Sequence, residues 1–317
     1  MRDRAALTIG AAFLAVYVIW GSTYLAIRWA IDTMPPLLMA GARWVLAGGL
    51  LLAWRLAVTR ERPTWAHLRT GAVVGTLLIF GGNGLVSVAE QWVPSGVTAL
   101  LIAIVPLWIA VFEWLGPARV RPAPRVLVGI ALGLAGVALL VGPAALLALG
   151  GAGTAGLVGA ALILVATVSW ASGSLWSRQA PRPRDLLLGA ALQMVAGGIV
   201  LTVVGLAVGE GARVDLAGVT ARSWLSWGFL VVFGSIVAYS AYVWLLQVVR
   251  AELVATYAFV NPVVAVLLGT LLAGEPFGVG TAVVAALIAA GVALIVTAPR
   301  PPPSSPAVAS APSPKKG

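Results

Sequence analysis

Ten apolar runs, each near the length that crosses a lipid bilayer, follow one another along the chain with charge, proline or glycine between them. They lie at about 8–27, 36–54, 70–90, 95–114, 124–142, 156–177, 186–208, 224–246, 252–272 and 278–297. A hydrocarbon core about 30 Å thick takes about 20 apolar residues in a helix. The expected fold is therefore an all-α integral membrane protein with ten transmembrane helices. Composition agrees: of 317 residues 61% are hydrophobic and 9% charged, against about 25% charged in soluble domains, and mean hydropathy is +1.02. The first run follows MRDR as a signal peptide would, but no A-x-A-like site follows it. It is expected to stay as the first span.

Several chemistries are excluded at once. Without cysteine there is no disulfide, thiolate metal site or cysteine nucleophile, and the single histidine, His67, sits in a basic loop. No cofactor is expected, and no G-x-x-x-x-G-K-[ST] motif offers a nucleotide site. The net charge of +10 is scattered between apolar runs rather than gathered for nucleic acid. It reads instead as topology: with the N-terminus in the cytoplasm, sixteen Lys and Arg fall inside and three (Arg28, Arg213, Arg222) outside, with Arg43 in the membrane. Both termini are then cytoplasmic. Residues 299–317, rich in Pro, Ser and Ala, cannot build a core and are expected to be a disordered cytoplasmic tail.

The two halves of the chain resemble each other. VIWGSTYLAIR (18–28) lies over VSWASGSLWSR (168–178), AGGLLL (47–52) over AGGIVL (196–201), and GVALLV (136–141) over GVALIV (291–296). SGVTALLIAIVPLWIAV (95–111) lies over AELVATYAFVNPVVAVL (251–267), pairing Pro106 with Pro262. Residues 1–145 and 146–298 thus read as two repeats of five spans. Because five is odd, the copies enter the membrane from opposite sides, a 5+5 inverted repeat of the kind that supports alternating access.

With these motifs in order, the chain resembles the EamA-type drug/metabolite transporters, in their YedA-like branch. The resemblance is carried by IWGSTYLAIR (19–28), PPLLMAGARW (35–44), GNGLVSVAEQWVPSG (82–96), TYAFVNPVVAVLLG (256–269) and Gly274–Glu275. It covers about residues 7–298 and implies a ten-helix carrier of small organic solutes, such as amino acids, their relatives or drugs, in a bacterial inner membrane. Small multidrug members of the superfamily use a glutamate in their first helix for proton coupling. Span one here has no acid.

Candidate pathway residues follow from helical spacing. Trp20 and Tyr24 end an aromatic stripe in span one beside Ser22 and Thr23, with Trp170 and Ser174 as repeat counterparts. Span three carries Thr76, Phe80, Asn83, Ser87 and Glu90 along one face. Asn83 and Ser87 are read as lining a solvated pathway. For Glu90, simple solvation and a role as gate or ion-coupling residue both stay open. Arg43 costs about 2.5–3.5 kcal/mol on insertion scales and needs a partner or water. Its alternatives are snorkelling to the outer interface or a fixed bridge to Asp32 or Glu90, and recognition of an anionic solute through its planar fork. Gln193 occupies almost the equivalent place in span seven, shifted by one residue in the ungapped AGG alignment. Tyr239 and Tyr242 share a face of span eight with Ser235, and Tyr257 and Asn261 lie one turn apart in span nine. Pro106 and Pro262 are expected as paired hinges.

The function expected is a secondary transporter, not an enzyme, exporting a small solute through a cavity lined by spans one, three, four, six, eight and nine, with Arg43 from span two. Its partners are the solute and membrane lipid, with no nucleic acid, as a monomer or weak homo-oligomer. A facilitative exchanger or importer of the same fold is the alternative. A membrane receptor or an intramembrane enzyme is disfavoured.

Overall fold

In the computed structural model the described residues are 2–116, 120–273 and 279–299, and all regular structure among them is helical. The helical runs are α1 (Arg2–Ile31), α2 (Pro36–Val58), α3 (Trp65–Ala89), α4 (Ser95–Leu115), α5 (Pro124–Gly151), α6 (Gly153–Gln179), α7 (Leu186–Ala207), α8 (Ala221–Val248), α9 (Ala251–Ala255 continued by Tyr257–Ala273) and α10 (Val279–Val296). Seven of them, α1 to α4 and α6 to α8, are long and apolar enough to cross a membrane, and α5, α9 and α10 contribute shorter apolar stretches. Residues 300–317 and the Gly274–Glu275 pair lie outside the described residues. Large apolar side chains such as Leu50, Val203 and Leu225 are exposed on the outer helix faces. A patch of this kind suits lipid rather than water.

Several helices are not regular. α3 passes through a π-helical segment at Thr76–Gly84, and α8 through another at Leu230–Tyr239. α4 is broken between Ile102 and Val105, and α9 at Thr256. α5 kinks at Gly142, whose φ of 70° is open to glycine without strain. Beyond Gly142 the chain stays helical to Gly151 and is helical again from Gly153.

α2 and α7 form the most intimate helix pair, and small residues are the reason. A Cβ at Gly41 would lie 2.4 Å from Thr202 Oγ1, one at Gly48 2.6 Å from Met194 Cβ, and one at Gly198 2.7 Å from the Val45 nitrogen. Close backbone approach of this kind replaces the hydrophobic drive that lipid removes. The facing residues run in opposite order, so the two helices are antiparallel. Each helix start is capped from the loop that follows its partner. The Glu210 carboxylate accepts from the nitrogens of Leu37 (3.2 Å) and Leu38 (2.9 Å), and the Glu61 carboxylate from those of Arg184 and Asp185, both at 2.9 Å. Carboxylates there satisfy orphan N–H groups and complement the helix dipole.

The same matching recurs at helix C-termini. Arg28, at the end of α1, donates from Nη1 to the carbonyl of Glu90 after α3 (2.5 Å), and Arg178, at the end of α6, donates to that of Val249 after α8 (2.8 Å). One end of the bundle thus carries Arg28, Glu90 and Glu210, with the ion pair Arg222–Asp32 at 2.7 Å. The other carries Glu61 and Arg178, with the ion pair Arg55–Asp185, also at 2.7 Å. His67 is part of a helix cap: Thr64 Oγ1 accepts from its backbone nitrogen, and its Nδ1 accepts from the nitrogen of Thr64.

The largest buried cluster joins α1, α2, α3, α4, α6, α7 and α8 with the first part of α9. α5 and α10 pack on each other at Gly129 and Gly291 and build a separate cluster around Phe259. They stand beside the central group rather than within it.

Candidate functional site

Where α1, α2, α3, α4, α6 and α9 converge they leave a cavity of about 70 Å³. Pockets that hold small organic molecules are about 300–1,000 Å³, so a solute needs this one to widen. The walls are mostly apolar, with Arg43, Asn83, Thr23, Thr167, Tyr24 and Asn261 as polar elements.

One side is an aromatic cluster centred on Trp20. Its ring lies 5.5 Å from that of Trp170, 5.0 Å from Tyr242 and 5.1 Å from Tyr257, the first and last edge-on. Such pairs add about 0.5–1.5 kcal/mol each beyond burial. The polar tips of Trp20, Trp170 and Tyr242 are engaged. Trp20 Nε1 donates to the carbonyl of Gly234 (3.1 Å), and Trp170 Nε1 to the hydroxyl of Tyr242 (2.8 Å), which also bonds Ser174 Oγ at 2.6 Å. Gly234 belongs to the π segment of α8, where the lengthened hydrogen-bond register frees carbonyls for side chains. The π segment of α3 is met in the same way, Ser169 Oγ of α6 donating to the carbonyl of Leu77 at 2.8 Å.

Arg43 is 1% exposed. Its Nε donates to Ser235 Oγ at 2.8 Å, and its guanidinium carbon lies 4.6 Å from the centre of the Trp44 ring. Its Nη1 has no hydrogen-bond partner. The two bridges considered from sequence are absent: Asp32 pairs with Arg222, and both carboxyl oxygens of Glu90 are buried without a partner. An arginine buried this way is expensive, and what holds it is one hydroxyl, one indole face and the cavity.

Of the residues singled out from sequence, Trp20, Tyr24, Arg43, Asn83, Trp170, Tyr257 and Asn261 line the cavity. Tyr242 and Ser174 stand one layer behind, holding Trp170 and Trp20. Gln193 and Tyr239 are joined to each other, the Tyr239 hydroxyl donating to Gln193 Oε1 at 2.8 Å, and Tyr239 packs edge-on against Trp44 with centroids 5.1 Å apart. Ser22 and Ser87 turn back to their own helices, donating to the carbonyls of Ile19 (2.7 Å) and Asn83 (3.0 Å). α8, expected in the wall, contributes no lining residue of this cavity. Pro106 is in the first turn after the break in α4, whereas Pro262 lies inside the second piece of α9.

Asn261 ties α9 to α1. With its amide nitrogen donating to the carbonyls of Tyr17 (3.2 Å) and Tyr257 (3.0 Å), its oxygen is left to accept from the Tyr24 hydroxyl. Spacing did not single out Trp44, Gly82, Thr167 or the apolar residues Ile27, Val86, Ile102 and Val105, which also line the cavity. Trp44 donates from Nε1 to Asn83 Oδ1 at 3.0 Å and so positions both the amide and Arg43. Its place next to Arg43 in the sequence was the available signal. For Gly82 the reason is spatial: a Cβ there would lie 2.4 Å from the Trp170 ring.

Comparison with known proteins places this architecture. Over 278 residues, 87% of this chain and 86% of the relative, it is 41% identical to the uncharacterized inner membrane transporter YedA of Escherichia coli K12. It is 27% identical over 300 residues, 93% of this chain and 90% of the relative, to the uncharacterized transporter YvbV of Bacillus subtilis. A solved crystal structure that is 20% identical superposes with a TM-score of 0.71 over 92% of this chain and 97% of its own, a likeness of fold. Residues 7–142 and again 157–297 match the EamA-like transporter family, and the chain belongs to that family.

Proposed function

We propose that the protein is a secondary transporter that exports small organic solutes carrying a carboxylate or another anionic group, amino acids and their relatives foremost, across a bacterial inner membrane. The observation that carries this reading is Arg43: a buried guanidinium on the wall of an aromatic-lined cavity, with one nitrogen free of any hydrogen-bond partner. A guanidinium fork pairs with a carboxylate in two parallel hydrogen bonds. The indole and phenol faces of Trp20, Trp170 and Tyr257 suit an apolar or aromatic body on the same solute.

The carrier works by alternating access, with ten spans as a 5+5 inverted repeat and both termini in the cytoplasm. Three things support this: the family matches twice along the chain, once in each half; the caps given by Glu61 and Glu210, and by Arg28 and Arg178, come in pairs on opposite ends; and the π segments fall in the third helix of each half. Sixteen of the twenty cations would lie on the cytoplasmic side. Two antiparallel copies supply two near-equivalent arrangements of one site.

The test is a solute screen followed by flux. Cells overexpressing or lacking the protein are compared for tolerance to amino acids and their analogues, and the active solute is then measured in proteoliposomes. Arg43→Ala is expected to cut flux of the anionic solute at least about tenfold, the loss of one charge-assisted pair, at unchanged expression. Unchanged flux rejects anion recognition by Arg43.

A further inference from the structure

Outside the solute contacts, Glu90 is the buried acid that the fold leaves unexplained. It follows the last turn of α3, is 1% exposed, and neither carboxyl oxygen has a hydrogen-bond partner. A carboxylate in that place would lose its hydration without compensation, at a cost of several kcal/mol. It would also face the negative end of the α3 dipole. The neutral acid avoids both costs.

The groups facing it are few. From α1 come Arg28, which interacts with the carboxyl through its charge, and Tyr24, which lines the cavity and senses Glu90 electrostatically. From α6 comes Gly159, against the carbonyl of Ala89, with no charge. The two cations of α2 are engaged elsewhere, Arg43 with Ser235 and Arg55 with Asp185. Arg28 is itself exposed at the end of α1, so the protein surface lies one residue from Glu90. It holds the Glu90 carbonyl and has donors to spare, so the same cation stands ready for the carboxylate.

The second half of the protein shows that the acid is not needed for the cap. Arg178 holds the carbonyl of Val249 in the matching way, with a valine at the capped position itself; Glu113, which bonds Glu252, is the acid that acts on this cation. We propose that Glu90 is a proton-binding residue: the closed form holds it as the neutral acid, and opening of the Glu90 end releases its proton to water and turns the carboxylate to Arg28. Coupling of that proton to solute movement rests on the transporter reading above; its binding does not.

Two measurements without solute test this. Infrared difference spectra of the protein in lipid vesicles, recorded on raising pH, are expected to show loss of a carboxylic-acid C=O band that is missing in Glu90→Gln. If Glu90→Gln does not assemble, Glu90→Asp serves: a shifted band supports the proposal and an unshifted one overturns it. Because the chain has no cysteine, spin labels can be placed at Trp92→Cys and Trp224→Cys, both exposed on the Glu90 end. The ratio of open to closed distances is expected to rise with pH, approaching tenfold per unit for one proton, and to be independent of pH in Glu90→Gln. The same pH response in both proteins, or a band unaltered by the substitutions, overturns it.

Discussion

Polar side chains in this protein divide by whether their hydrogen-bonding capacity is already spent. Tyr242, Ser174, Gln193 and Tyr239 are engaged by one another or by Trp170, and they stand behind the cavity wall. Arg43 and Glu90 are buried with capacity unspent. That difference predicts different mutational behaviour. Arg43→Lys keeps the charge but loses the fork, so it is expected to retain more flux than Arg43→Ala while binding the solute less tightly, read as a higher KM. Asn261→Leu removes three hydrogen bonds, two of them between α9 and α1, each worth about 0.6 kcal/mol in membrane proteins. It is expected to lower thermal stability by up to about 2 kcal/mol and to impair flux as well; a stable protein with full flux would show that this tie is dispensable.

At the scale of helices, the α2–α7 pair and its two carboxylate caps form the most tightly specified contact. Replacing Glu210 by Gln leaves one acceptor oxygen for the two nitrogens of Leu37 and Leu38 and removes the charge at the start of α2. The expected loss is about 0.5–1 kcal/mol, measurable as a lower unfolding temperature, with Glu61→Gln matching it at the start of α7. Gly48→Leu is expected to do much more, because its first atom meets Met194 and Val195 at less than van der Waals distance. Helix detail also explains which of the residues singled out by spacing reach the cavity. The polar face read along α3 assumes a regular α-helix, and the π segment at Thr76–Gly84 turns the residues after it. Asn83 therefore meets the cavity and Trp44, while Ser87 bonds back to its own helix. In α8 the second π segment directs Ser235 to Arg43, Tyr239 to Gln193 and Tyr242 to Trp20, three neighbours for what reads as one face.

For the whole molecule, the proposed topology makes a direct prediction. Reporters fused after residue 298 and in the 58–65 connection are expected to score cytoplasmic, and one in the 208–221 connection external. A reversed pattern would overturn the orientation without touching the cavity. What the chain determined by itself is its helical, membrane-spanning character and its two-fold repetition, because both are written in local apolar length and local similarity. It also named Arg43, Trp20, Asn83, Trp170, Tyr257 and Asn261, since a polar or aromatic side chain inside an apolar run needs a protein partner or a cavity. Only the tertiary structure decided which of them face one another. Whether a buried group finds a hydrogen-bond partner depends on helices distant in sequence and on backbone registers that no single run reveals. That is why Glu90, open in sequence between solvation and gating, emerges as an acid buried with no hydrogen-bond partner for its carboxyl.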